Sequence, residues 1–501
     1  MNINLSKDNN RLALEKLNNY KNLFLVALFS YVLVYGFELT HFTLSIDEEF
    51  PDNFAQTIML GRWGHALIRH YLLPEPFVPF ITTALCLIFL SFAAVLSALY
   101  LKLSKYQSAA YIVMLAALPQ LAYQIQFSNQ SDTVALSILF STLSLFTLDV
   151  SRLKSYVLFI ILTIASLSVY QSVFLFAASL LCVKFTILAI RKEIRLPELV
   201  KTLAVYIALT LIALVINTLL SKLCAYYYHI PTSSYLTAMI GWGKLSPVDI
   251  ILTVCHYIYN CFTLNAPFGM NALPFTLVWM LIISIIAFKK GRNYFLIMTL
   301  CLATIASCFI MNLVLGAWLP PRTMIQAPVI FAGLFAATLV SLKITSVPHK
   351  ILLSVLPVFF LISGAVSSNK LFYSDYMARE ADAHLSLQII DTIYNKYPDF
   401  DIKKTPVFFY GSHTPVNSWR LAGADAFGAS FFEWDGGNNS RIYAYLKSAN
   451  IADFVHPDPG QVELASEIGK ELPSWPNRGS VFLHNGVMIV KIGPQLSPYN
   501  K

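Results

Sequence analysis

The sequence predicts an α-helical membrane protein with many spans and a soluble α/β domain at its C-terminus. Of its 501 residues, 56% are apolar and only 12% are charged, whereas soluble globular proteins carry roughly a quarter charged residues. The charge is divided along the chain, with a balance of +11 over residues 1–370 and −3 over residues 371–501. This composition excludes an ordinary water-soluble enzyme, a disordered chain and a protein that binds nucleic acid.

Apolar segments predict about eleven transmembrane helices, because about 20 apolar residues as a helix cross a hydrocarbon core of about 30 Å. The segments are residues 22–41, 76–101, 107–127, 132–149, 156–170, 173–190, 199–221, 272–288, 294–315, 324–342 and 351–369. The fifth and sixth are one apolar run, which we divide at the polar cluster Tyr170-Gln171-Ser172. Residues 1–21 are polar and carry four cations, which is unlike a cleaved signal peptide.

Lysines and arginines predict the orientation, since cytoplasmic loops accumulate them. With residues 1–21 in the cytoplasm, seventeen of them fall in inner segments and five in outer loops before the tail. The two long outer loops are then residues 42–75 and 222–271. An odd number of spans places the tail, residues 372–501, on the outer side, which is the periplasm of a Gram-negative cell. The membrane domain between these ends covers residues 22–371.

The tail has the patterns of a discrete α/β domain. The predicted elements are helices at 375–397 and 440–449, a strand at 407–410, and a hairpin at 481–492 that turns at Asn485-Gly486. About 130 residues are enough for an independent core. The aromatic residues Phe431, Phe432 and Trp434 either stack on a sugar ligand or pack in that core.

The first outer loop begins with a dense acidic cluster. Four carboxylates occur within six positions, in the segment Asp47-Glu48-Glu49-Phe50-Pro51-Asp52. Crowded or partly desolvated carboxylates have raised pKa values and can act as general bases. The alternative is an acidic turn that is simply solvated.

The same loop continues into a predicted amphipathic helix. One face carries Leu60, Trp63, Leu67 and Tyr71, and the other carries Arg62, His65 and Arg69. Such a helix would lie in the membrane interface and offer its cations to a phosphate group. The alternative is that the cations only extend toward water.

Further polar residues lie at the outer ends of other predicted spans. They include Gln124, Asn129 and Asp132 in one turn, Tyr170 and Gln171 in another. These side chains either cap helices or contact a carbohydrate. A third turn, Pro320-Pro321-Arg322, holds a cation that suits a phosphate contact.

The sequence has no metal-site spacing, no phosphate-binding glycine loop and no nucleophile motif. We therefore expect neither a metal nor a cofactor.

Three motifs together resemble a known family. The segment Ser45-Ile46-Asp47-Glu48-Glu49 after the first span, Gly61-Arg62-Trp63-Gly64, and the late Pro320-Pro321-Arg322 turn are similar to those of the serotype-converting O-antigen glucosyltransferases. These are polytopic enzymes related to the GT-C glycosyltransferases. The resemblance implies a polyprenyl-phosphate-linked glucose donor, an O-antigen (lipopolysaccharide) acceptor and action at the outer face of the bacterial inner membrane. It also implies two functional partners, a synthase of the donor lipid and a small flippase.

The resemblance implies roles for individual residues. Asp47 matches the leading acid of the GT-C loop and would be the general base, with Glu48 and Glu49 as substitutes. Arg62, Arg69 and Arg322 would stabilise the departing phosphate. The residues that would contact sugar are Trp63, Gln124, Asn129, Tyr170 and Gln171. The tail domain is expected to serve the acceptor.

Two other classes of function remain open at this point. A transporter or flippase of lipid-linked sugar would need charges near the bilayer midplane or related halves, and Lys184 is the lone charge inside a predicted span. A structural protein of envelope assembly would not need the Asp47 carboxylate.

Overall fold

The computed structural model describes residues 2–73, 79–148, 152–231, 239–344 and 346–500, with side chains described from residue 18 onward. The chain folds into two compact units. The helical unit comprises Met1–Thr40 and Asn53–Asn369, and the C-terminal unit comprises His41–Asp52 and Lys370–Lys501. The acidic segment of the first loop therefore belongs to the same unit as the tail.

The helical unit consists of helices and short turns over its described residues. The helices are α1 (Asn2–Tyr35), α2 (Phe54–Met59), α3 (Trp63–Tyr71), α4 (Pro79–Tyr100), α5 (Lys105–Ala117), α6 (Ala122–Ile125), α7 (Ser131–Thr147), α8 (Leu153–Leu167), α9 (Phe174–Arg191), α10 (Leu196–Tyr227), α11 (Pro247–Cys261), α12 (Phe275–Lys289), α13 (Tyr294–Ala306), α14 (Ile310–Leu315), α15 (Ala327–Leu342) and α16 (Val347–Lys396). Helix α16 begins in this unit, and its residues from Lys370 onward belong to the C-terminal unit.

Each of the eleven predicted apolar segments coincides with a helix or a pair of consecutive helices. Among the described residues, seven helical segments are long and apolar enough to cross a membrane, namely Asn18–Leu39, Pro79–Tyr100, Lys105–Ile125, Gln171–Arg191, Leu196–Tyr227, Tyr294–Leu315 and Val347–Lys396. Four more apolar helices are shorter: α7, α8, α12 and α15. The division at Tyr170 is confirmed, because α8 ends at Leu167 and the backbone of Tyr170 is extended.

Helix α15 is the central helix of the helical unit. Its residues from Ala327 to Ser341 are all buried, and it packs against α5, α9 and α12. A helix that is apolar on every side must be surrounded by other helices or by lipid. Other helices of the unit pack against one another in neighbouring pairs, such as α4 against α7 and α7 against α8.

The C-terminal unit contains a three-stranded sheet, formed by β1 (Val407–Tyr410), β2 (Val481–His484) and β3 (Val487–Lys491) in the order β1-β3-β2. Strand β3 pairs in parallel with β1 and antiparallel with β2. The predicted hairpin is confirmed, and Asn485 and Gly486 both have positive φ angles, as its tight turn requires. The unit also contains α17 (Asn439–Ser448) and α18 (Pro459–Glu471).

Alternating side chains of the sheet supply two hydrophobic cores, as expected when both faces of a sheet are covered. Val407 and Phe409 lie in the larger core with residues of α16 and α17, and Phe408 and Tyr410 lie in the smaller one against α18. Phe431 and Phe432 are fully buried in the larger core, and Trp434 packs against it. Of their two predicted roles, these aromatic residues therefore take that of core packing.

Candidate functional site

The predicted amphipathic helix is two helices, α2 and α3, joined by a turn at residues 60–62. Gly61 in this turn has a φ of +76°, a backbone conformation that glycine adopts at little cost. At the start of α3, the Gly64 amide donates a hydrogen bond to the Ser168 carbonyl over 2.9 Å. A Cβ at Gly64 would lie 2.1 Å from the Ser168 Oγ. Glycine is therefore needed at position 64 for α3 to approach the end of α8.

The face of α3 that packs into the protein is the polar one, whereas the sequence predicted that this face would offer its cations outward to a phosphate group. His65 and Arg69 are 3% and 4% exposed, whereas Tyr71 on the apolar face is 65% exposed. Burial, with Arg69 and Arg62 nearby, holds the pKa of His65 well below its ordinary value. The imidazole ring is therefore neutral. Its Nδ1 lies 2.9 Å from the Thr133 Oγ1. The polar face of α3 packs inward because its side chains have polar partners in the protein. The sequence alone does not show where those partners lie.

Arg69 forms a buried ion pair at the start of α7. Its Nη2 lies 2.5 Å from the Asp132 Oδ1, and the two side chains are 4% and 1% exposed. Its Nε donates to the Asn129 carbonyl over 2.7 Å. The guanidinium thus joins α3 to the turn that precedes α7.

Arg62 lies at the start of α3 and has different partners. Its Nη1 donates to the Gln130 Oε1 over 3.1 Å, and its guanidinium lies 4.7 Å from the centre of the Tyr170 ring, an arrangement typical of a cation–π contact. Gln171 next to that ring donates to the Leu60 carbonyl over 3.1 Å. Neither Gln130 nor Tyr170 caps the helix that follows it with its side chain.

Trp63 and Arg322 extend this group of contacts. The Trp63 Nε1 donates to the Asn217 Oδ1 over 3.0 Å. The Arg322 guanidinium lies 5.5 Å from the centre of the Phe127 ring. The turn that carries Arg322 is held by Gln120, whose Nε2 donates to the Pro321 carbonyl over 2.7 Å.

The three predicted phosphate-binding arginines all contact one short segment, residues 127–132, which we call the polar turn. Arg322 contacts Phe127, Arg69 contacts Asn129 and Asp132, and Arg62 contacts Gln130. The arginines are up to 260 positions apart in the chain, so their shared neighbour is a property of the tertiary structure.

Several polar atoms near the polar turn have no partner in the described part of the chain. Both amide atoms of Gln124 are buried without a hydrogen bond, as are the Ser128 Oγ and the Arg62 Nε. Buried polar groups are almost always paired in native proteins. Four such atoms around one segment indicate a place where hydroxyl or phosphate oxygens, or ordered water, would be bound.

The acidic segment lies in the C-terminal unit and is arranged around Arg441 of α17. The Arg441 Nη2 lies 2.9 Å from the Asp47 Oδ1, its Nη1 is paired with the Glu49 Oε1, and its Nε lies 2.7 Å from the Asp435 Oδ2. The Asp47 side chain is 46% exposed, whereas that of Glu49 is fully buried. Asp47 also has a φ of +80°, which is rare for a residue other than glycine.

The three consecutive acids Asp47, Glu48 and Glu49 are therefore not equivalent. Burial raises the pKa of Glu49, and the Arg441 guanidinium acts in the opposite direction. Burial alone would lower the pKa of Arg441, but the Glu49 and Asp47 carboxylates hold it above its ordinary value. Glu48 is 3% exposed, and its Oε2 accepts a hydrogen bond from the Ser45 amide over 3.0 Å. Asp47 is the one of these three with a substantially exposed carboxylate.

Sequence reasoning missed two residues of these arrangements. Asn217 is a polar residue in the long apolar run of α10, and that isolation was a signal that could have found it. Arg441 lies on an ordinary polar helix of the tail, and nothing in its local sequence distinguishes it.

Comparison with known proteins gives one match. A protein-family model described as glucosyl transferase GtrII matches residues 36–340. This range contains the acidic segment, α3, the polar turn and Arg322, and it ends before α16. No curated protein and no solved structure matches the chain.

Proposed function

The chain belongs to the GtrII glucosyl transferase family, and from this premise we propose that it transfers glucose from a polyprenyl-phosphate donor to O-antigen at the periplasmic face of the bacterial inner membrane. The family makes the protein a glucosyltransferase. The donor, the acceptor and the face of the membrane are our proposal. The observation that carries it is the convergence of Arg62, Arg69 and Arg322 on the polar turn.

We propose that all eleven apolar segments cross the membrane in a GT-C-like arrangement. Seven helical segments have the required length, and the four shorter apolar helices supply the remaining number. The excess of lysine and arginine in alternate loops supports an N-terminus in the cytoplasm and a periplasmic C-terminal unit. The apolar outer surface of the helical unit would accommodate the prenyl chain of the donor.

The donor phosphate is assigned to two of the three arginines that contact the polar turn. Arg69 is committed to Asp132, so its role is to hold the turn in place. Arg62 and Arg322 would contact the phosphate and stabilise the negative charge that develops as it leaves. Gln124 supplies both an unpaired donor and an unpaired acceptor, which suits sugar hydroxyls. Trp63, Asn129, Tyr170 and Gln171 would complete the surroundings of the donor sugar.

Activation of the acceptor is assigned to Asp47. In the proposed reaction, its carboxylate accepts the proton of an acceptor hydroxyl while the hydroxyl oxygen bonds to the anomeric carbon. The bond from that carbon to the phosphate oxygen breaks, and the lipid phosphate leaves with the electron pair. Glu48 and Glu49 are less suited as bases because they are buried, and Glu49 is paired with Arg441. They remain substitutes in the proposal.

The test is modification of O-antigen by cells that carry single variants. Asp47→Asn keeps the size of the side chain but removes the base, and general-base catalysis contributes roughly 10²–10⁴-fold to a rate. We expect glucosyl transfer to be abolished while the amount of protein in the membrane stays normal. Asp52→Asn is the matched control and should have a mild effect, because Asp52 follows Pro51.

The sugar composition and linkage of lipopolysaccharide, with and without the protein, give the readout. If Glu48→Gln or Glu49→Gln is inactive while Asp47→Asn is active, the general base is that glutamate and not Asp47. Full activity in all three would reject the carboxylate mechanism and favour a transporter. Loss of modification when the donor-lipid synthase or the small flippase is deleted would support these two proposed partners.

A further inference from the structure

The segment that carries the proposed base is anchored by residues that lie more than 300 positions further along the chain. Of the residues that contact it within the C-terminal unit, Asp375, Arg441 and Ser448 lie beyond residue 340, where the match to the family ends. We propose that the C-terminal unit positions the acidic segment for catalysis, with Arg441 as the positioning residue. This inference rests on the proposed role of Asp47.

Arg441 is suited to this task by its geometry. Its three nitrogens are engaged by three different carboxylates, those of Asp47, Glu49 and Asp435. A guanidinium is planar and its donors point in fixed directions. The position of Asp47 is therefore defined relative to two other carboxylates, and one of these, Asp435, lies in the part of the unit beyond residue 370. A lysine ammonium would supply the charge without these fixed directions.

The backbone on both sides of Asp47 is held as well. Before it, the Ser45 Oγ donates to the Asp375 Oδ2 over 2.6 Å, and the Ile46 side chain is fully buried in the larger core. After it, the Ser448 Oγ donates to the Glu49 carbonyl over 2.6 Å. Among residues 45–49, Asp47 thus carries the one substantially exposed side chain, and its neighbours on both sides are fixed.

Asp375 connects this anchoring to the fold of the unit. Its Oδ1 accepts a hydrogen bond from the Gly428 amide over 3.1 Å, while its Oδ2 binds Ser45. Gly428 has a φ of +75° and precedes the buried Phe431-Phe432 pair. The acidic segment is consequently part of the core structure of the C-terminal unit rather than a mobile loop. Removing the part of this unit that lies beyond residue 370 would release Asp47 even if the helical unit stayed intact.

The experiment uses full-length protein in membranes or detergent and compares Arg441→Gln and Arg441→Lys with wild type. The matched control is Arg420→Gln. Arg420 forms a two-pronged ion pair with Glu433, at 2.7 Å for each contact, on the surface of the same unit. Two readouts are taken: steady-state kinetics of glucosyl transfer and hydrogen exchange of the peptide that covers residues 41–52.

We expect Arg441→Gln to lower kcat at least tenfold, with KM for the donor changed less than threefold, and to speed exchange of the 41–52 peptide at least tenfold. Arg441→Lys should fall between this variant and wild type. Arg420→Gln should match wild type in both readouts. Exchange in β3 serves as the folding control and should be unchanged. If exchange in β3 is faster in Arg441→Gln, that variant is not correctly folded. Arg441→Lys is then compared with wild type in its place.

A double variant separates positioning from simple charge compensation. In Glu49→Gln/Arg441→Gln the buried charge is removed together with its partner. If Arg441 only neutralises Glu49, the double variant recovers both the protection of the 41–52 peptide and kcat. If Arg441 positions Asp47, the double variant still lacks the guanidinium that holds the segment, so exchange of the 41–52 peptide stays fast and kcat stays low.

Three results would overturn the inference: unchanged exchange of the 41–52 peptide in Arg441→Gln, a wild-type kcat despite faster exchange, or recovery of both readouts in the double variant. Failure of the proposed function is recognised separately, since it appears as activity in Asp47→Asn. The exchange readout does not depend on that activity.

Discussion

Arg69 can be tested as a structural residue because its ion pair with Asp132 is almost completely buried. We consider Arg69→Met, which keeps most of the apolar length of the side chain and removes its charge. Breaking a buried ion pair by removing one partner costs about 3–5 kcal/mol, since the other charge is left uncompensated. Solvent cannot offset this cost here, because Asp132 is 1% exposed. The Asn129 carbonyl also loses its donor.

The expected result is a decrease of about 3–5 kcal/mol in the free energy of unfolding and a fall of several degrees in unfolding temperature. The assay is thermal unfolding of the purified protein in detergent. Arg62→Met is the matched control, because it removes a hydrogen bond to the neutral Gln130 and a cation–π contact with Tyr170 but leaves no charge uncompensated, and it should cost about 2 kcal/mol. Adding Asp132→Asn to Arg69→Met should restore most of the lost stability, since no buried charge then remains.

The reasoning is refuted if Arg69→Met unfolds at the temperature of wild type. If that stable variant also showed a raised KM for the donor, Arg69 would be a phosphate ligand and not a support for the polar turn. A loss of stability that Asp132→Asn does not repair would mean that the packing of the side chain, and not its charge, was the important contribution.

Three further predictions concern the helical unit and the topology. Gly64→Ala should destabilise the protein by about 1–3 kcal/mol, as overpacking does, because a Cβ at position 64 would collide with Ser168. Adding Ser168→Gly should restore part of this loss, as measured by thermal unfolding. Lys184→Met should leave glucosyl transfer near wild type in the O-antigen assay, because Lys184 takes no part in the proposed mechanism. Its ammonium lies 3.5 Å from the centre of the Tyr100 ring. An inactive variant would favour a transporter. A reporter that is active only outside the cytoplasm, fused after residue 371, should be active, and an inactive fusion would contradict the proposed count of spans.

Much of the candidate site could be identified from the sequence, but not its arrangement. The amphipathic pattern of residues 60–71 singled out Arg62 and Arg69, and the Pro320-Pro321-Arg322 turn singled out Arg322. The sequence could not show that Arg69 is committed to Asp132, because the two residues lie on different helices. The amphipathic pattern of α3 was real, but the sequence could not show whether its polar face meets water or protein.

The sequence by itself determined the helices of the membrane domain and the hairpin of the tail. Both are local properties, since the length of an apolar run sets a span and Asn485-Gly486 sets a tight turn. Only the tertiary structure decided that the acidic segment belongs with the tail, some 390 positions away at Arg441. The physical reason is that an ion pair depends on distance in space, and a carboxylate has the same local sequence whether it is solvated or buried beside a guanidinium.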